Sequence, residues 1–372
     1  MSEISREVTI VTGPDGLDHL HQDWQGLIAS QAVAPFYTLY EWYFAYMTCL
    51  EASPEQVMFV VLRRKGSCVG VVPLVQRHLR SPIFSPAVLE SPKLTGMDLV
   101  GLPLDENESL SEWWPLICLV LKQHGIRWSA LRLPGFLISP LSQQPLVNMA
   151  PWMVVRVQGH SCWFNCRQDY GYLYEAYASR LVKILRKAKK GLAKAGSISI
   201  QTVTSSPELA CAYDEFLRLE ASGWKGEQGS STALKLDQKR RHFLETVLFR
   251  NGRNIQTEIN LLKIDQQAIA AQLCIRRGGS LSLLKIAFDQ TLSRFSPGSV
   301  LLDKLLAQSC EDEMTDRVSL VTGQPWMAHW KPEQFPVADL WLFHHRLLAR
   351  LARMFLELRD QLKVIKLKWR SL

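Results

Sequence analysis

The chain has 372 residues, of which 47% are hydrophobic and 21% charged, and a formal net charge of +8. That composition excludes a disordered or low-complexity chain and leaves room for one large domain or two. The charge is uneven: residues 180–194 carry seven basic residues and no acid, and 340–372 carry eight basic against two acidic. Two basic segments on a mildly acidic body point to local contact with an anion, not to a surface coated in nucleic acid. No apolar run is long enough to span a bilayer, and the opening Met1-Ser2-Glu3-Ile4-Ser5-Arg6-Glu7 lacks the basic-then-apolar profile of a signal peptide, so a cytoplasmic protein is expected. The eight cysteines are scattered without a CxxC, as suits reduced thiols. His160, Cys162 and Cys166 are the one cluster with metal-ligand character; a further ligand is missing, and no metal is expected.

In chain order, residues 13–31 read as a helix, with Leu17, Leu20, Trp24, Leu27 and Ile28 at helical spacing. A second, aromatic-rich helix is expected over Leu39–Leu50 and is read as core. Val57–Leu62 and Cys68–Gln76 form a predicted hairpin about Lys65-Gly66-Ser67. Arg77–Asp98, with three prolines, reads as loop, Trp113–His124 as a helix and Ser129–Leu133 as a buried strand. Pro134–Pro151 is the expected linker between halves. Beyond it, one helix is predicted over Tyr170–Gly196, with Leu181, Leu185, Ala188 and Leu192 on one face. A strand at Ser197–Val203, helices at Pro207–Leu219 and Leu236–Arg250, and a hairpin at Glu258–Ile264 and Ala268–Arg276 follow. Residues 57–78 and 257–278 share a layout of apolar strand, polar turn and apolar strand, as two similar halves would. At the C-terminus, Phe343, Leu347, Leu351, Met354, Phe355, Leu358 and Leu362 predict an amphipathic helix over Leu340–Leu362. It is expected to dock on the body, with contact to an anionic membrane surface as the alternative.

Chemistry concentrates in residues 264–310. After the hairpin about Arg277-Gly278-Gly279-Ser280, the apolar run Leu281–Phe288 leads into the small loop Arg294-Phe295-Ser296-Pro297-Gly298-Ser299 and then a helical pattern. A strand feeding a helix start through small residues suits an anion, because the first helical N–H groups lack internal partners and the helix dipole adds positive charge. Pro297 suits a first turn and Gly298 permits close approach to the backbone. A plain helix N-terminus would look the same. Lys285 lies inside an apolar strand, where a charge is costly unless paired or facing a cleft.

A second stretch, Phe216-Leu217-Arg218-Leu219-Glu220-Ala221-Ser222-Gly223-Trp224-Lys225-Gly226, sets a tryptophan between glycines just after a helix. It resembles the LE-x-x-x-W-K-G segment of the CelD-type acyltransferases, a branch of the GNAT superfamily found with bacterial polysaccharide genes. Pro35–Trp42 is similar to that family's early PF-x-x-x-x-x-W, and Leu185–Leu192 to its basic helix. Lys285–Asp289 followed by Ser296-Pro297-Gly298 is similar to its K-x-A-[YF]-D…SPG block, and Gly323-Gln324-Pro325-Trp326 to its C-terminal end. The ordered matches run over about 35–335. Gln324 departs from the pattern, standing where family members carry an acid, and lysines replace several arginines of the basic helix.

The resemblance implies an α/β fold of two GNAT-like halves, each a mixed, mostly antiparallel sheet flanked by helices: 1–150, then 151–339 carrying the acyl-CoA site, then a basic tail, 340–372. It implies transfer of an acyl group, acetyl above all, from an acyl-CoA co-substrate to the N or O of a sugar or sugar-lipid precursor. Arg294, Ser296, Gly298 and Ser299 would hold the donor's pyrophosphate. Trp224 and Lys225 would meet the acceptor. Lys285, Asp289 and Glu220 are the candidates for moving protons and stabilising charge. The plainer readings are an ion pair between Glu220 and Lys225 and a turn cap at Asp289. Rival functions are a Fem-like transferase using aminoacyl-tRNA, the one route by which nucleic acid would be a partner, and a catalytically silent binding protein of a polysaccharide machine.

Overall fold

The computed structural model describes residues 5–29, 31, 35–78, 87–92, 99, 101–138, 152–223, 225–227, 229–249, 255–345, 347–348, 350–351 and 354. The first half contains β1 (Arg6–Thr12), α1 (Gly13–His19), α2 (His21–Ala29), α3 (Tyr40–Cys49), β2 (Met58–Arg64), β3 (Ser67–His78), β4 (Ala87–Glu90), α4 (Leu110–Gln123) and β5 (Ala130–Leu137). The long β6 (Met153–Asn165) follows. The second half then repeats the plan with α5 (Tyr170–Ala176), α6 (Ser179–Ala195), β7 (Ile198–Val203), α7 (Glu208–Ala221), α8 (Gln238–Phe249), β8 (Gln256–Ile264), β9 (Gln267–Arg277), β10 (Ser280–Phe288), α9 (Pro297–Glu311), β11 (Arg317–Ser319) and β12 (Glu333–Leu342).

Among the described residues, twelve strands join one mostly antiparallel sheet, ordered β1-β2-β3-β4-β5-β12-β6-β11-β10-β9-β8-β7. The order is a pseudo-repeat. β2–β3 and β8–β9 occupy equivalent places, as the layout of 57–78 and 257–278 predicts. Each half has one parallel pair, β4 with β5 and β10 with β11, bridged by α4 or α9. The sixth strand of each half is exchanged. β6 leaves the first half to pair with β11, while β12 inserts beside β5 and the two meet at the seam. One core cluster also runs through both halves, with Trp42 of α3 packed edge-on against Phe243 of α8 at 5.5 Å.

Several expectations are corrected. Pro134–Leu137 is part of β5, so the linker does not begin at Pro134; residues 139–151 lie outside the described residues. Arg77–Asp98 is not all loop, since Arg77 and His78 end β3 and Ala87–Glu90 form β4. The helix expected over Tyr170–Gly196 is broken at Tyr177 and Ala178. The Tyr177 ring packs on Trp330 at 5.1 Å and the Ala178 N–H donates to the His329 carbonyl at 2.9 Å, contacts that hold this link extended. The tail helix cannot start at Leu340, because Leu340, Trp341 and Leu342 complete β12 between two neighbours. Of its stripe, Phe343 packs with Ala130 and Val154, whereas Leu347, Leu351 and Met354 are 57%, 54% and 65% exposed. Phe355, Leu358 and Leu362 lie outside the described residues.

Candidate functional site

The site arises where β10 and β11 part. They pair only over Ser280–Ser282 and Arg317–Ser319. Just past β11 the chain swerves: Val321 takes φ +61°, unusual for a β-branched residue, and the Thr322 N–H donates to the Leu320 carbonyl at 2.6 Å across it. From Leu283 on, β10 therefore has no ladder partner on that edge among the described residues. A bulge between Leu283 and Lys285 shifts its register against β9 at the same level. The gap is a cleft of about 760 Å³. Its walls are Leu283–Ile286 and Phe288 on one side and Leu320, Thr322, Gln324, Trp326 and Met327 on the other.

At the far end of β10 the chain makes a 3-10 turn over Gln290–Phe295, passes Ser296 in the left-handed region at φ +45°, and enters α9. Ser296, Gly298 and Ser299 line the cleft at the N-terminus of this helix. A Cβ at Gly298 would stand 3.2 Å from Ile286 Cγ2 and 3.3 Å from Phe288 Cδ1, so glycine lets the helix sit close against the strand. Arg294 is not brought in: it is exposed and stacks on Phe295, 4.6 Å from the ring centroid. Phe295 packs on α6, where a Cβ at Gly191 would meet its ring at 2.6 Å. The basic helix thus flanks the loop, with Lys187, Lys190 and Lys194 exposed.

Lys285 and Lys225 both line the cleft and converge on one carboxylate beneath it. Glu220 Oε1 is 3.2 Å from Lys225 Nζ and 3.7 Å from Lys285 Nζ, while its Oε2 accepts the Leu234 N–H at 2.9 Å. Glu220 is buried and does not line the cleft, so it acts on the site through the two lysines. Burial pushes the Lys285 ammonium below its ordinary value; Glu220 opposes that shift, and Lys225 and Arg240 add to it. Asp289 stands apart. Its Oδ1 accepts from the Thr291 N–H at 2.9 Å and the Thr291 hydroxyl at 2.7 Å, which caps the 3-10 turn. Trp224 lies outside the described residues. Thr322, Trp326 and Met327 were not among the sequence candidates, and Gln324 was noted only as a departure. Trp326, 43% exposed at the cleft, carried the clearest hint, as a costly aromatic after a Gly-Gln-Pro turn.

Residues 179–332 match the acetyltransferase (GNAT) domain. That stretch, most of the second half of the chain, is similar to the domain. The fold of the chain is similar to that of FemX, at 11% identity over 93% of this chain and 99% of that one, with a TM-score of 0.57. A conserved protein of unknown function from Bacteroides thetaiotaomicron aligns at 9% identity over 87% and 97%, with a TM-score of 0.52. The C-terminal domain of a putative lysylphosphatidylglycerol synthetase from Agrobacterium fabrum aligns at 10% over 90% and 95%, with a TM-score of 0.50. At such identities the likeness is one of fold. No curated protein matches the chain in sequence. Among the described residues, no helix is long and apolar enough to cross a membrane and no group of three or more His, Cys, Asp or Glu could hold a metal ion.

Proposed function

We propose that the chain transfers an acyl group, acetyl in the simplest case, from an acyl-CoA to an amine or hydroxyl of a sugar or sugar-lipid precursor of a bacterial polysaccharide. The parting of β10 from β11 beside the N-terminus of α9 carries the reading. In it, the donor's pyrophosphate lies against Ser296, Gly298 and Ser299, and its pantetheine arm runs along the open edge of β10. The polysaccharide context rests on the residues that resemble the CelD-type enzymes.

In the transfer step the acceptor nitrogen or oxygen attacks the thioester carbon, the C–S bond breaks, and the acceptor gives up a proton. Lys285, in the cleft and held below its ordinary pKa, takes that proton when neutral and orients the acceptor when charged. Glu220 positions Lys285 and Lys225. Asp289 shapes the loop; the contacts of Glu220 with the Leu234 N–H and of Asp289 with the Thr291 N–H support positioning parts for both. Calorimetric titration with CoA and acetyl-CoA tests the donor. Micromolar binding is expected, and an absence of binding to either overturns the reading.

A second donor, aminoacyl-tRNA, is favoured by one observation: the exposed lysines of α6 flank the donor loop. Binding through them would weaken steeply with salt, by about one power of salt concentration for each phosphate contacted. The exposed apolar residues Leu347, Leu351 and Met354, with Arg350 among them, likewise favour peripheral contact with an anionic membrane.

A further inference from the structure

A second chamber, of about 340 Å³, adjoins the cleft, and Thr322 and Gln324 line both. It sits at the seam of the exchanged strands. β5 supplies Arg132 and Gly135, β6 supplies Gln158, Gly159 and His160, and β12 supplies Val337 and Asp339. Two irregularities coincide there. β12 shifts register against β5 between Ala338 and Leu340, and against β6 between Val337 and Ala338, which leaves Asp339 without a β5 partner and Gln158 without a β12 partner in the register. Bulges of this kind re-aim side chains, and sites prefer junctions between domains.

The charges of the chamber are already matched. Asp339 accepts from Arg132 Nη2 at 2.6 Å, from the Gly135 N–H at 3.0 Å and from Gln158 Nε2 at 3.4 Å, and Arg132 Nη1 also reaches Glu90 at 3.1 Å. What remains for a ligand is the buried Arg132 Nε, a donor without a partner among the described residues, and a set of groups that both donate and accept: Gln158, His160, Thr322 and Gln324. A hydroxyl does both as well. A phosphate would need an uncompensated cation, and an acyl chain an apolar wall; this chamber offers neither.

We infer that this chamber anchors the acceptor, and that the acceptor is a neutral, polyhydroxylated ring, a saccharide, whose reacting group enters the cleft past Thr322 and Gln324. The inference rests on the acyltransferase reading for its role and on the seam alone for its place. Gly159 gives a clean perturbation. It lines the chamber, and a Cβ there would meet nothing within 4 Å, so Gly159→Leu adds bulk without a clash. Gln158→Ala removes one polar group of the wall.

The test is binding of neutral saccharides (glucose, galactose, N-acetylglucosamine, cellobiose and chitobiose) to the full chain by saturation-transfer NMR, with CoA affinity measured in parallel on each variant. At least one saccharide is expected to bind the parent. Its affinity should fall about tenfold or more in Gly159→Leu, and by less in Gln158→Ala, while CoA affinity stays at the parent's value. No saccharide binding in the parent, or binding unchanged in Gly159→Leu, overturns the inference. Retained CoA affinity shows that a variant has folded. Loss of CoA binding in the parent overturns the donor reading instead, and saccharide binding then still decides the chamber.

Discussion

Lys285→Ala separates a working lysine from a structural one. Glu220 would keep Lys225 at 3.2 Å and the Leu234 N–H at 2.9 Å, so no buried carboxylate loses its last partner. The cost in stability is then that of a loose ion pair and some methylene packing, about 1 kcal/mol. The cost in rate is larger. A proton acceptor is worth roughly 100-fold or more, and about 2.7 kcal/mol of barrier corresponds to 100-fold. Release of CoA thiol is measured in single turnover at saturating acetyl-CoA, with the saccharide found by titration as acceptor. In the parent the rate should rise with pH as Lys285 loses its proton, at a pH below the ordinary lysine value because burial disfavours the ammonium. In Lys285→Ala the rate should fall about 100-fold and that limb should vanish. Glu220→Gln removes the charge that favours the ammonium, so it should move the limb further toward acid. An unchanged rate in Lys285→Ala, or a limb that persists in it, refutes the reasoning.

Gly298→Val places methyl groups against Ile286 and Phe288 and should weaken CoA binding by pushing α9 off β10; equal affinity by calorimetry would reduce the loop to a helix cap. Trp42→Ala empties a fully buried site between the halves and should cost about 3–5 kcal/mol, read by urea denaturation. Residues 151–372 expressed alone should aggregate, since β12 would lose β5 and bare an apolar edge; a monodisperse fragment by light scattering would count against the exchanged seam. Replacing Leu347, Leu351 and Met354 by Glu should abolish sedimentation with anionic liposomes if the tail meets a membrane, and parent protein that fails to sediment would end that proposal.

The sequence marked elements whose pattern is local. The hairpins at 57–78 and 257–278 were legible because alternation and a Gly turn lie within one short window, and Leu181, Leu185, Ala188 and Leu192 because their helix packs through a regular stripe. It hid what depends on distant partners. β6 and β12 carry no turn between them, and Leu340–Leu342 reads equally as a helix start or as a strand buried on both sides. The break at Tyr177 and Ala178 depends on Trp330 and His329, far along the chain. At the site, Lys285 stood out as a charge in an apolar strand and the Glu220–Lys225 pair lay within one short stretch, whereas the approach of Lys285 to the same carboxylate depends on α7 packing beside β10. Thr322 and Gln324 did not stand out, since only the swerve at Val321 turns them inward.

The two halves share one plan, and their parallel pairs end differently. In the first half β4 is four residues long, and the ladder continues past it, with the Ser91 N–H donating to the Arg132 carbonyl at 3.0 Å. The crossover to α4 is then laid along β3, where Val71 N–H bonds Pro103 O and Asp105 N–H bonds Val69 O, each at 2.8 Å. In the second half β10 runs nine residues but pairs with β11 over only three, and residues 289–296 deliver a helix N-terminus to the opening. β5 of the first half pairs with the returning β12, and the two supply Arg132, Gly135, Val337 and Asp339 to the chamber beside the second half's cleft.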